Sequence, residues 1–233
     1  MTDAPAGIRR VARVDLDAFA TNVAGASSLD ARADAYGHGL ALLGPVARDA
    51  GVTSVIVSDE RDAAIARPLF AEVLVGRLPR EANPRDMAAI GAAAYGLDPD
   101  AAARPVLTLV GEVVAVKHVG ADVGVSYGYS YRTSSPTTLA LVALGYADGV
   151  PRLASNRATV HVGSGIHPLV GRVAMDQFVV DCGDDIPELG SDAVLFGDPA
   201  TGVPSAHDWA TATERDPLDV TAGLGARIVR GAE

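Results

Sequence analysis

From the N-terminus, the apolar positions fall into an alternation of short buried runs and helical stripes. Residues 11–25, VARVDLDAFATNVAG, predict a short strand and then a helix, with Asp17 as N-cap and Phe19, Val23 and Ala24 at helical spacing. LLGPVARDAG (42–51) predicts a helix with Pro45 at its first position and Gly51 at its stop; Leu43, Val46, Ala47 and Ala50 share one face. TSVIVSD (53–59) is a β-branched apolar run, as expected of a parallel strand covered on both sides. DERDAAIARP (59–68) predicts a helix ended by Pro68, AEVLVGRL (71–78) a second buried strand, and NPRDMAAIGAAA (83–94) a further helix. This strand–helix rhythm belongs to a barrel or a doubly wound sheet.

The period changes after about residue 100. VLTLVGEVVAVKHV, TTLALVALGY, ATVHV, HPLVGRV, QFVVDCG and DAVLF predict strands separated by Gly, Pro, Asn and Asp turns. HDWATATE is the first strong helical signal after them. DPDAAARP (98–105) is the natural linker between an α/β half and a β-rich half.

Composition narrows the functional classes. Hydrophobic residues make up 48% and charged residues 21% of the 233, which suits a soluble globular protein. No apolar run approaches the ~18 residues that span a membrane, and MTDAPAGIRR has no apolar segment behind its arginines, so no secretory signal is expected. The net charge of -10 argues against nucleic acid and anionic membranes as partners. A single cysteine, Cys182, excludes an internal disulfide and suits a cytoplasmic location. The five histidines have no metal-ligand spacing, and the glycine-rich GSGIHPLVG and GLGARIVRG lack the strand–helix context of a dinucleotide loop. Lys117 is the one lysine in the sequence.

Several motifs then occur in a fixed order: RVDLDAFATNV, ADAYGHG, YGLDP, VSYGYSY, LGYADGVPR, SNR, VGRVAMDQF and GLGARIVR. Together they resemble the bacterial alanine racemases, which are pyridoxal-phosphate enzymes with an N-terminal (β/α)8 barrel and a C-terminal β-domain. The resemblance implies an incomplete racemase barrel region over residues 1–99 and a β-domain over 100–233. The expected fold is thus an α/β remnant of a (β/α)8 barrel followed by a β-rich, β-barrel-like domain. A complete barrel of this kind takes ~250 residues, and only about 100 precede the β-domain. The resemblance therefore implies an internal loss of strands and helices between the third strand–helix unit and YGLDP.

The resemblance also implies roles. Racemisation through pyridoxal phosphate needs a lysine that holds the aldehyde as an imine and two acid/base groups on opposite faces of the adduct. Two residues before DAYGHG, where the family carries that lysine, stands Arg32. A guanidinium stays protonated and is not a nucleophile. SSLDA (27–31) before it also lacks the apolar character of a barrel-interior strand. Tyr127 matches the second acid/base, which in the racemases reaches the barrel of the other subunit; from spacing alone it is equally a strand-end aromatic. Tyr36 matches a tyrosine that meets the cofactor phosphate, Met175 and Asp176 a pair near the substrate carboxylate, and Tyr146 an aromatic at the substrate entrance. Arg172 is a candidate ion-pair partner for Asp176, and His38 is read as a structural hydrogen-bonding residue. Leu218 stands where a phosphate-contacting tyrosine is often found.

The expected reaction class is pyridoxal-phosphate-dependent interconversion of L- and D-alanine, with independent activity and cofactor binding not expected because of Arg32 and the shortened barrel. Four readings stay open: a racemase of reduced size acting on a small amino acid, a product of gene decay, a conversion to a different, lysine-free chemistry, and a non-catalytic assembly module. The module would form a homodimer, or a heterodimer in which its β-domain completes a full-length racemase.

Overall fold

The computed structural model describes residues 7–76 and 89–233. The chain forms two units assembled from interleaved stretches: an α/β unit of Arg13–Leu107, Pro217–Ala222 and Arg230–Glu233, and a barrel unit of Met1–Ala12, Thr108–Asp216 and Gly223–Val229. Strands β1 (Arg10–Val14) and β14 (Val229–Ala232) each cross the division, as does the first residue of the long strand Leu107–Val119.

In the α/β unit, α1 (Leu16–Asn22) is capped by Asp15, whose carboxylate accepts the Ala18 N–H at 2.8 Å. The expected cap, Asp17, instead sits in the first turn, where its charge favours the helix N-terminus. β2 (Ser28–Asp30) pairs in parallel with β3 (Ser54–Val57) on one side and β5 (Ala89–Ile90) on the other, and β3 pairs in parallel with β4 (Glu72–Val75). SSLDA, which had no strand character in sequence, therefore supplies the interior strand β2, because Leu29 and Asp30 are both enclosed by neighbours. β3 has the expected buried run, whereas β4 is the edge strand among the described residues and leaves Val75 exposed. Residues 77 and 78 of that expected strand lie outside the described residues.

The helix expected over 83–94 is not formed in its described part. Ala89–Ile90 pairs with Ser28–Leu29, and Ala92–Tyr95 makes one 3-10 turn. Pairing to β2 outweighs the helical propensity of the alanines; residues 83–88 lie outside the described residues. α2 (Arg32–Tyr36) is a single turn wound left-handed, and α3 (Leu40–Asp49) follows it. Pro45 lies inside α3 rather than at its start, because the Asp34 carboxylate accepts the Leu40 N–H at 2.8 Å and starts the helix five residues earlier. α4 (Glu60–Ala66) is capped by Asp59. A short helix that the sequence reading missed, α6 (Pro217–Ala222), packs on α2.

The barrel unit is a closed antiparallel cycle. β6 (Leu107–Val119), β9 (Thr137–Val142), β12 (Phe178–Asp181), β11 (Gly165–Val170), β10 (Thr159–Val162) and β13 (Asp192–Phe196) pair in that order, and β13 returns to β6. The closure works because β6 is 13 residues long: Leu109–Glu112 pairs with β13 and Val113–Val119 with β9, with a bulge between Val113 and Ala115. Alternating residues fill the interior, among them Val160, Val162, Phe178, Val180, Ala193 and Leu195, all at most 1% exposed. α5 (Ala206–Thr213), opened by a Ser205–Asp208 capping box, buries Trp209 against Phe196, and the indole N–H donates to the Thr159 carbonyl at 3.0 Å. The hairpin β7 (Gly124–Val125) and β8 (Tyr131–Arg132) projects the loop 126–130. Among the described residues no helix is long and apolar enough to cross a membrane.

Candidate functional site

The candidate residues divide between the two units. In the α/β unit they gather on α2, at the end of β2. Ala33, Asp34, Ala35 and Tyr36 all have φ between 50° and 55°, a conformation that costs about 1–2 kcal/mol per L-residue. It persists because the surroundings fix it: the Ala33 N–H donates to Ser58 Oγ at 2.8 Å and the Asp34 N–H to Asp62 Oδ2 at 3.3 Å.

This turn folds Arg32 and Tyr36 back onto Asp30. Arg32 Nε and Nη2 donate to the Asp30 carboxylate at 2.9 and 2.6 Å, a two-pronged ion pair. The Tyr36 hydroxyl donates to Asp30 Oδ2 at 2.8 Å and accepts from Arg32 Nη2 at 3.1 Å. Asp30 is 8% exposed, so the arginine is what makes a buried carboxylate tolerable. The bond to Asp30 drives the Arg32 guanidinium still further towards its charged form, and burial together with Asp30 pushes the Tyr36 phenol up to about 12. Charge at this place is internally cancelled. No residue of the α/β unit is a lysine.

Tyr95 and His38 support the cluster from behind. The buried Tyr95 hydroxyl donates to the Asp30 carbonyl at 2.7 Å, and its ring lies 5.5 Å from Tyr36 and 4.7 Å from His38. His38 is fully buried, with Nδ1 at 3.0 Å from the Ala35 carbonyl. The expected hydrogen-bonding role is what this geometry performs. Burial pushes the His38 imidazole down to about 4. An unfolded histidine titrates near 6.5, so the stability this neutral ring contributes is fully present above that pH and is lost as pH falls from 6.5 towards 4. Urea unfolding should show about 2 kcal/mol lost through His38 between pH 7 and pH 5. In His38→Asn the loss over that interval should be smaller by this amount; an unchanged pH slope would refute the assignment.

In the barrel unit, Tyr127 opens a short 3-10 turn at the tip of the β7–β8 hairpin and is 71% exposed. Tyr131 anchors the hairpin by donating to Asp181 on β12 at 2.6 Å. Tyr146 and Met175 come together because the Tyr146 and Ala147 N–H groups donate to the Ala174 and Met175 carbonyls, both at 3.0 Å. That approach requires Gly145: a Cβ there would lie 2.3 Å from the Met175 carbonyl oxygen. Tyr127, Tyr146, Met175, Arg152 and Arg172 line an open hollow of about 300 Å3. The Arg152 guanidinium lies 5.6 Å from the centre of the Tyr146 ring. Two guanidinium groups beside two phenols can receive a small carboxylate.

Asp176 pairs with Arg227 at 2.7 Å and not with the expected Arg172. Arg227 reaches it because its Nε is held at 2.9 Å by Asp148, a fully buried carboxylate that also accepts the Gly145 N–H at 2.9 Å. Sequence reading missed Asp30, Tyr95, Arg152 and Arg227. Tyr95, Arg152 and Arg227 lie within the motifs YGLDP, LGYADGVPR and GLGARIVR without being singled out there, and Asp30 left a trace as a carboxylate two positions before an arginine. Among the described residues no group of three potential metal ligands exists.

Comparison with known proteins points to one family. The family profile "Alanine racemase, C-terminal domain" matches residues 106–232. The alanine racemase of Streptomyces coelicolor is 45% identical over 153 residues, 62% of this chain and 39% of that protein. That of Salinispora arenicola is 46% identical over 148 residues, 62% of this chain and 40% of that protein. The chain thus aligns with about two fifths of the length of the curated relatives it matches. Among solved structures, Streptomyces coelicolor alanine racemase is similar with a TM-score of 0.84 at 26% identity, covering 96% of this chain and 98% of that one. The enzyme from D-cycloserine-producing Streptomyces lavendulae gives 0.83 at 25% identity, covering 97% of each. On the match across its closed barrel, the chain belongs to the alanine racemase family.

Proposed function

We propose that this chain is a racemase relative that does not interconvert L- and D-alanine by itself. Its retained chemistry lies in the barrel unit. The observation that carries this reading is the closed Asp30–Arg32–Tyr36 cluster in a unit without a lysine. Pyridoxal phosphate needs an amine for its aldehyde and uncommitted cations or hydroxyls for its phosphate. Here the guanidinium is neutralised and the Tyr36 hydroxyl is engaged. These residues do not fit the cofactor. The strand order β4–β3–β2–β5 supports reading residues 1–99 as a (β/α)8 barrel that has lost its middle strands: the last strand of the sheet in sequence pairs with its first, as the last strand of a closed barrel would. Residues 100–233 are then the racemase β-domain.

A second reading assigns the barrel unit a use. Tyr127, Met175 and Asp176 would complete the barrel of a full-length racemase in a cytoplasmic heterodimer, or pair two copies of this chain. The exposure of Tyr127, Tyr146 and Met175 around one hollow favours it, because large apolar side chains grouped on a surface mark interaction sites. The purified chain mixed with pyridoxal phosphate should show no racemisation and no borohydride-trapped imine in the α/β unit, and tagged chain co-expressed with an intact racemase should retain it on affinity resin. Measurable alanine racemisation by the chain alone would overturn the first reading. Absence of the racemase from the eluate would overturn the second.

A further inference from the structure

We infer that Asp30, and not Arg32 alone, keeps the α/β unit closed to aldehydes: its carboxylate would hold any amine placed at position 32 in the charged, unreactive form. The inference rests on the reading that α2 is the counterpart of the racemases' cofactor-holding turn.

The geometry behind it is local. Position 32 is delivered onto Asp30 by the backbone itself, since the Arg32 N–H also donates to Asp30 Oδ1 at 3.2 Å. A shorter ammonium side chain starting from the same Cα meets the same buried carboxylate. The other ionisable groups around the turn are acidic, neutral or cationic at its margin. Tyr36 is the second contact to Asp30; Asp34 lies on α2 and Asp62 on α4, both acidic; Tyr95 faces the cluster from the turn after β5 with its hydroxyl on the Asp30 carbonyl; His38 is buried and neutral. Two cations besides Arg32 stand near the turn, Arg230, whose Nε donates to the Gly37 carbonyl at 3.0 Å, and Arg61 beside Asp62 on α4; the carboxylate in contact with position 32 is that of Asp30. Imine formation needs the free amine, and a close carboxylate in a partly buried site favours the ammonium. A titration midpoint about one pH unit higher leaves about ten times less free amine at neutral pH. The two residues thus act together: arginine supplies no nucleophile, and aspartate removes the condition under which a nucleophile would work.

The test uses the full chain with Arg32→Lys and with Asp30→Asn plus Arg32→Lys, each mixed with pyridoxal phosphate from pH 6 to pH 10 and reduced with borohydride. Peptide mapping separates an adduct at position 32 from one at Lys117, which serves as the reference amine. At pH 7 the double variant should carry at least about tenfold more adduct at position 32 than Arg32→Lys, and its titration midpoint should lie about one pH unit or more lower. Equal adduct and equal midpoints would overturn the inference, as would absence of adduct at position 32 from both variants at every pH while native circular dichroism is kept. If the double variant loses its fold, the Arg32→Lys profile decides: a midpoint at position 32 clearly above that of Lys117 supports the role of Asp30, and one at or below it refutes that role. These outcomes are separate from racemisation by the unsubstituted chain, which bears on the proposed function itself.

Discussion

A full-length racemase disabled by replacing its own acid/base tyrosine with phenylalanine regains turnover when this chain is co-expressed with it. The expectation follows from the division of the candidate residues. The disabled partner supplies a complete barrel with its lysine, and this chain supplies Tyr127 on the tip of the β7–β8 hairpin, 71% exposed. One of the two sites in such a mixed dimer then has both acid/base groups, so recovery approaches half the activity per dimer of the intact enzyme. Tyr127→Phe in this chain should abolish the recovery, by about 10²–10⁴-fold, the usual contribution of a positioned acid/base group. Purified mixed dimer assayed in both directions is the measurement. A complex that co-purifies and stays inactive would show that the chain binds a racemase without completing its site.

The second large effect is structural. Gly37→Ala should unfold or severely loosen the α/β unit. Gly37 closes the left-handed turn with φ +80°, and a Cβ placed there would lie 2.0 Å from the Thr221 carbonyl oxygen on α6. That neighbour is backbone, which cannot swing aside as a side chain would. Left-handed strain and a displaced helix together should cost more than about 3 kcal/mol, in the range reserved for a few named defects. Urea unfolding followed by tyrosine absorbance reads it out, and Tyr36, Tyr95 and His38 should lose their protection together. A variant within about 1 kcal/mol of the parent would mean that α6 is not held against the turn as described.

The barrel unit was largely legible because its physics is periodic. DAVLF forms β13 without a residue of difference, and ATVHV and QFVVDCG contain β10 and β12; alternation at period two survives in the sequence wherever one face is buried. The α/β unit was legible in rhythm and less so in detail. SSLDA gave no strand signal because its one large apolar residue, Leu29, is accompanied by an aspartate whose burial depends on Arg32. The alanines before YGLDP carry helical propensity, yet two of their neighbours pair with β2. Within the candidate sites, contacts that the chain makes at long separation left no local signal. Arg227 stands 51 positions after Asp176, and no spacing rule joins them. The Asp30–Arg32–Tyr36 cluster depends on a run of positive φ angles on alanine, aspartate and tyrosine, which side-chain identity gives no reason to expect.

β6 carries the one lysine of the sequence in the middle of its longest ladder, with Lys117 opposite Leu139 on β9. A protease that cuts only after lysine therefore has a single target, the Lys117–His118 bond near the centre of the chain. The side chain is exposed, but its peptide bond belongs to a strand paired along its length, and a protease must draw the backbone out of the ladder before it can cut. Cleavage into two halves is then a clock for opening of the barrel. Its rate follows the population of opened molecules when reclosing is fast.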